Sequence, residues 1–156
     1  MTEHPELYTS SIVKGSYFNQ MINCGPNYKR WVEIALDYIP TDILWEYRDK
    51  LVFIGTGAMD ACRVAPALRK NREIIVLSER IFPKRGANEG HSKASYFIFV
   101  VLHEVAHAVL NHRSPLLDNL TKEENEAQEK EADDLAIAWF NAHVPLCVNV
   151  VETPSL

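Results

Sequence analysis

One stretch of the chain has the composition of a buried helix with a narrow polar stripe. Between residues 95 and 111, nearly every side of a helical wheel is apolar, and the remaining sector includes His103, Glu104 and His107. A helix that is hydrophobic almost all round is buried. Imidazoles and a carboxylate are costly to bury unless they have partners. The stretch therefore predicts a core helix at about 92–111 whose polar side chains bind a ligand.

The three polar residues form the pattern His-Glu-x-x-His at residues 103–107. Residues four apart on a helix lie about 40° apart around its axis and one turn along, so both imidazoles can close on one Zn²⁺ at ~2.0–2.1 Å. Glu104 is rotated by about 100° from His103, which places it beside the metal, where it can take a proton from a metal-activated water. The structural alternative is a hydrogen-bonded histidine pair on a surface helix, and the apolar surroundings argue against it.

A third ligand is expected from the acidic helix that follows, at about 121–142. Its beginning at residues 121–124 has the form of a capping box. On a helical wheel, Glu129 and Asp133 lie together on one flank of the apolar face, and Glu131 lies on the other flank, about 100° from the face centre. Glu129 is therefore the predicted ligand, and Asp133 the predicted hydrogen-bond partner of a ligating imidazole. Glu131 remains the alternative ligand.

The two motifs together resemble those of the gluzincin metallopeptidases. The pattern His-Glu-Val-Ala-His is followed by Glu-x-Glu-Ala-Asp-x-x-Ala at residues 129–136, which is most similar to the minigluzincin type with an ImmA/IrrE-like or M48-like core. The resemblance implies that His103, His107 and Glu129 hold the metal and that a small sheet precedes the active-site helix. It covers about residues 72–140, and the helix-turn-helix domain that often accompanies such proteases is not seen.

His112 is the remaining nearby donor. The SprT-like proteases share a Leu-Ser-Glu-Arg run before the motif but use a third histidine, for which His112 is the only nearby downstream candidate. His112 comes five residues after His107, and a helix rotates it by about 140° from His107, which faces it away from the metal. We therefore do not expect His112 to be a ligand.

The rest of the chain predicts an α+β fold. Two helices and three strands are expected before the apolar helix, at about 27–39, 41–48, 51–54, 62–65 and 72–78. Together with the resemblance, this predicts one zincin-like domain over residues 1–156, with its metal core at about 72–142. We expect a small, mostly antiparallel sheet, the active-site helix, and a second helix that carries the glutamate ligand.

Composition limits the classes of partner. The chain has 16 Lys and Arg residues against 21 Asp and Glu residues, a formal net charge of −5, and no basic stripe, which argues against nucleic acid. No apolar run approaches the ~20 residues of a membrane span, and the first residues do not form a secretory signal. Cys24, Cys62 and Cys147 indicate neither a zinc ribbon nor a disulfide framework, which favours reduced thiols and a cytoplasmic location.

We therefore predict a zinc-dependent peptidase that acts on a peptide or protein substrate, with Glu104 as the general base. The alternative is a non-catalytic zinc-binding module, regulatory or protein-binding, that retains the gluzincin core. The small size of the chain favours this alternative. The intact Glu104 argues against it, because a scaffold needs the ligands but not the base.

Overall fold

The computed structural model describes residues 21–22, 26–47, 50–56, 61–64, 73–82, 90–115 and 118–143. The N-terminal residues lie outside these ranges, and so do Cys24 and Cys147. The predictions about a secretory signal and about reduced thiols rest on these residues. The described segments form an α+β fold, as predicted, and helices predominate in it. The elements in chain order are β1 (Met21–Ile22), α1 (Pro26–Leu36), α2 (Thr41–Tyr47), β2 (Leu51–Thr56), β3 (Ala61–Val64), β4 (Glu73–Ser78), a 3-10 turn (Glu79–Ile81), α3 (Gly90–Val109) and α4 (Lys122–Ala142).

The strands form one mixed sheet in the order β1-β2-β4-β3. The pairs β1–β2 and β2–β4 are parallel, and the pair β3–β4 is antiparallel. The prediction of a mostly antiparallel sheet is therefore wrong. The physical reason is that strand direction depends on how distant segments meet, which the local pattern does not encode. The apolar runs at residues 51–54 and 74–77 fit a covered parallel pair as well as an antiparallel one. Consecutive residues Leu51, Val52 and Phe53 of β2 are all buried.

The helix α3 is the central element of the core. It contacts α1, α4, β3 and β4. Its large buried side chains are Phe97, Ile98, Val101, Leu102 and Val105. Phe97 packs edge-on against Trp31 of α1, with ring centroids 5.9 Å apart. The predicted burial of this helix is confirmed, and removal of its apolar surface from water is a main source of stability.

None of the described helices, α3 included, combines the length and the sustained hydropathy that a bilayer crossing requires.

The beginning of α4 is fixed by the predicted capping box. The Thr121 hydroxyl accepts a hydrogen bond from the Glu124 backbone N–H at 3.1 Å, and the Glu124 carboxylate accepts one from the Thr121 N–H at 3.0 Å. Two backbone donors that have no partner within the helix are thereby satisfied. The Thr121 N–H, together with the charge of Arg113, lowers the pKa of Glu124 from its ordinary value. The box therefore stays formed at neutral pH and weakens as the pH falls through that lowered pKa.

Replacement of Thr121 by alanine removes the hydroxyl that caps α4. We expect Thr121→Ala to lower the free energy of unfolding at neutral pH by about 1 kcal/mol. Thr121→Ser keeps the hydroxyl and should unfold close to the wild-type midpoint in urea. Equal stability of the alanine variant and the wild type would show that the cap contributes nothing to the folded state.

Candidate metal centre

Two imidazoles of α3 point to the same place one helical turn apart. The Nε2 atoms of His103 and His107 lie 3.1 Å from each other, and both side chains are largely buried. The rings meet nearly edge to face, at an interplanar angle of 83°. The predicted juxtaposition of the two histidines is therefore present, with the same nitrogen of each ring facing the shared point.

The carboxylate of Glu129 on α4 completes a group of three donors. One of its oxygens lies 3.3 Å from His103 Nε2, and the other lies 3.2 Å from His107 Nε2. Within the described residues, His103, His107 and Glu129 form a group that could hold a metal ion. The residue that the helical wheel selected as the third ligand thus lies at this position.

The two imidazole nitrogens are spaced as ligands of a small tetrahedral cation would be. Bonds of about 2.0–2.1 Å at tetrahedral angles place neighbouring donor atoms about 3.3–3.4 Å apart. The two Nε2 atoms, 3.1 Å apart, are close to this value, and each of them meets a different oxygen of the Glu129 carboxylate, at 3.3 Å for His103 and 3.2 Å for His107. Two histidines and one glutamate are also a ligand set of catalytic zinc sites, in which a fourth position stays open.

Small side chains allow α4 to approach α3 at the site. Ala132 and Ala136 are fully buried on the face of α4 that meets α3. A side chain larger than a methyl group at Ala132 would move the α4 backbone away and with it the carboxylate of Glu129, which lies one turn earlier. The centre of this interface is therefore apolar, and the acidic residues of α4 occupy its flanks.

The connection between the two helices also ties α4 in place. The Arg113 backbone N–H donates to Gln128 Oε1 at 2.9 Å, and Gln128 Nε2 donates to the Arg113 carbonyl at 2.9 Å. The Arg113 guanidinium lies 3.1 Å from Glu124 Oε2. Because Gln128 directly precedes Glu129, this double hydrogen bond helps to set the rotation of α4 about its axis.

Asp133 lies one turn after Glu129 and contacts the outer nitrogen of the first imidazole. Its Oδ1 is 2.8 Å from His103 Nδ1. This contact requires a hydrogen on Nδ1, which leaves the lone pair of Nε2 free for the shared point. The structure therefore brings Asp133 to the position that the sequence predicts for a partner of a ligating imidazole.

Glu104 and Glu131 lie outside the group of three donors. Glu104 follows His103 on α3 and is buried. Glu131, the alternative ligand, lies on the other flank of α4, with its Oε1 3.4 Å from His112 Nε2. Its carboxylate thus meets a different histidine from the two that share the site.

The position of His112 differs from the sequence expectation. The helix α3 ends at Val109, not at residue 111, and Asn111 adopts a left-handed conformation with φ 56°. The Asn111 N–H bonds to the Ala108 carbonyl, and the His112 N–H bonds to the His107 carbonyl. These two bonds define a Schellman motif, which turns the chain back over the last helical turn.

The Schellman motif places the ring of His112 against the ring of His107. Their Nδ1 atoms lie 2.9 Å apart, and His112 is buried. His112 is not one of the three donors, and it meets His107 at Nδ1, the ring nitrogen opposite the shared point. The helical wheel did not predict this contact, because it assumed a helix that continues to residue 111. An asparagine before the Arg-Ser-Pro sequence at residues 113–115 was the available signal, because Asn is, after Gly, a preferred left-handed residue at helix ends.

Residues 85–145 match the family model of peptidase U49. The matched segment is less than half of the 156 residues, and it contains all three donors and Asp133. The match supports a peptidase family for this chain. Comparisons with curated proteins and with solved structures found no significant match.

The left-handed backbone at Asn111 can be tested by substitution. Asn111 is exposed, so changes there act mainly through the backbone. Asn111→Val should lower the free energy of unfolding by about 1–2 kcal/mol, because a β-branched residue is strained at positive φ. Asn111→Gly should be at least as stable as the wild type, since glycine adopts this conformation freely. Equal thermal midpoints for the two variants would contradict the Schellman motif.

Proposed function

We propose that the chain is a zinc-dependent peptidase of the gluzincin type, with a zincin-like fold in which His103, His107 and Glu129 hold the metal. The observation that carries the proposal is the convergence of these three donors within the segment that matches a peptidase family. A peptide or protein is the proposed substrate. A single domain and a cytoplasmic location remain predictions from the sequence.

Each residue at the site has a distinct proposed role. His103 and His107 offer the Nε2 lone pairs, and Glu129 adds one negative charge. Asp133 accepts the Nδ1 hydrogen of His103, which fixes the tautomer and the orientation of that ring. Together these residues would hold Zn²⁺, whose chemistry there would be to polarise the scissile carbonyl and to make a water molecule more acidic.

Glu104 is the proposed general base. Its helical offset from His103 places it beside the donors and not among them. The carboxylate accepts a proton from the attacking water and then delivers that proton to the amide nitrogen of the departing peptide.

Replacement of Glu104 by glutamine separates catalysis from metal binding. Wild type and Glu104→Gln should each bind about one zinc per chain, since the three ligands are unchanged. The variant should lose peptidase activity by about 10²–10⁴-fold, as expected for removal of a general base. Two quantities are measured: the zinc content of each protein, and the new N-termini that each protein generates by cleavage in a complex protein mixture.

The outcomes of this experiment distinguish the two functions. Activity in Glu104→Gln that equals the wild type would exclude the proposed base. Zinc in both proteins, with no new N-termini from the wild type, would favour the non-catalytic zinc-binding module. Absence of zinc from both at neutral pH would overturn both functions.

The role of Asp133 can be compared with that of its neighbour. Asp133→Ala removes the acceptor at His103 Nδ1 and should weaken zinc binding by about 10–100-fold. Asp134→Ala is the matched control, because Asp134 is exposed and pairs with Lys130 at 2.7 Å, an interaction of the surface type that contributes little. Zinc affinity is measured by competition with a chelator. Equal affinities of the two variants would exclude the proposed role of Asp133.

A further inference from the structure

We propose that His112 is a positioning residue for the metal ligand His107, and that Glu131 anchors His112 in turn. The inference rests on the proposed metal site and extends it to two residues outside the ligand set. It is carried by two contacts in line. His107 Nδ1 lies 2.9 Å from His112 Nδ1, and His112 Nε2 lies 3.4 Å from Glu131 Oε1.

Binding of the metal by His107 determines which nitrogen donates and which accepts in these two contacts. If His107 uses its Nε2 lone pair for the metal, its neutral ring carries a hydrogen on Nδ1. His112 Nδ1 must then accept that hydrogen. A neutral His112 ring that accepts at Nδ1 carries its own hydrogen on Nε2, the nitrogen that lies 3.4 Å from Glu131 Oε1. One arrangement of hydrogens is therefore compatible with both contacts, and it directs the Nε2 lone pair of His107 toward the proposed metal.

Each of the two proposed ligand histidines is thereby linked to a carboxylate of α4. His103 reaches a carboxylate of α4 directly through Asp133, and His107 reaches a second carboxylate of α4 through the ring of His112. Asp133 and Glu131 lie on opposite sides of the buried Ala132, since each residue turns the helix by about 100°. One helix thus supplies a ligand on one flank and a support for an imidazole on each flank.

The side chains of His112 and Glu131 differ in burial, and therefore in their expected contributions to the positioning of His107. The His112 side chain is 7% exposed, whereas that of Glu131 is 63% exposed. The contact between the two rings is shielded from water, and the contact with Glu131 is open to competing water and salt. We therefore expect loss of the His112 ring nitrogen to matter more than loss of the Glu131 charge.

The first experiment measures zinc affinity of the full chain by chelator competition. His112→Phe keeps an aromatic ring but removes the acceptor, and it should weaken zinc binding by about 10–100-fold. His112→Asn keeps an acceptor, because its Oδ1 is bonded to Cγ as Nδ1 is, and it should stay within about threefold of the wild type. Thermal unfolding of each metal-free variant reports whether the fold is retained.

A pair of glutamate variants tests the outer contact. Glu131→Gln should reduce zinc affinity by a smaller factor than His112→Phe. Glu123→Gln makes the same charge change in the exposed first turn of the same helix, and it should bind zinc as the wild type does. Equal affinities of the two glutamine variants would overturn the anchoring role of Glu131.

The second experiment records the tautomers of the zinc-loaded protein in two-bond ¹H–¹⁵N spectra. We expect the hydrogen of His107 on Nδ1 and that of His112 on Nε2. The opposite tautomer of His112 would overturn the proposal even if His112→Phe failed to fold. Unchanged zinc affinity in His112→Phe, or an equal loss in His112→Phe and His112→Asn, would also overturn it. A wild type that binds no zinc would instead overturn the metal site and the proposed function themselves.

Discussion

The central constraint on this molecule is the burial of polar side chains in its most apolar helix. The helix α3 contacts α1, α4 and the sheet, yet it also carries the polar side chains of His103, Glu104 and His107. Uncompensated, each of these groups costs free energy to bury. The rest of the fold must therefore bring partners to them. The acidic helix α4 supplies carboxylates to both imidazoles, and the proposed cation would balance the negative charge that gathers there.

The placement of α4 follows from the same constraint. A helix can bring several carboxylates to a buried histidine pair only if its own interface is small and apolar, and Ala132 and Ala136 meet that need. The acidic side chains then project past the alanines on both flanks. Glu129 and Asp133 in this way reach the imidazoles of α3 on one flank, and Glu131 reaches His112, just beyond the end of α3, on the other.

Helical periodicity explains both what the sequence predicted and where prediction failed. The histidine pair, the capping box and the flank shared by Glu129 and Asp133 all follow from spacings within one regular helix, and all are present. The sheet is different, because the pairing of β2 with β4 depends on how distant segments meet, which local spacing does not encode. The ring of His112 could not be placed by the wheel, because the regular helix ends before it.

The helix ends therefore determine the site as much as the helices do. A rotation of α4 by one residue would turn Glu129 through about 100° and remove it from the imidazoles. Two devices oppose such a rotation: the capping box at Thr121 and the hydrogen bonds between Arg113 and Gln128. The Schellman motif at Asn111 acts on the other helix, where it returns His112 to His107 and starts the connection in a fixed direction. The described ends of the connection between α3 and α4 thus belong to the candidate metal centre, because their hydrogen bonds help to set which carboxylate meets which imidazole.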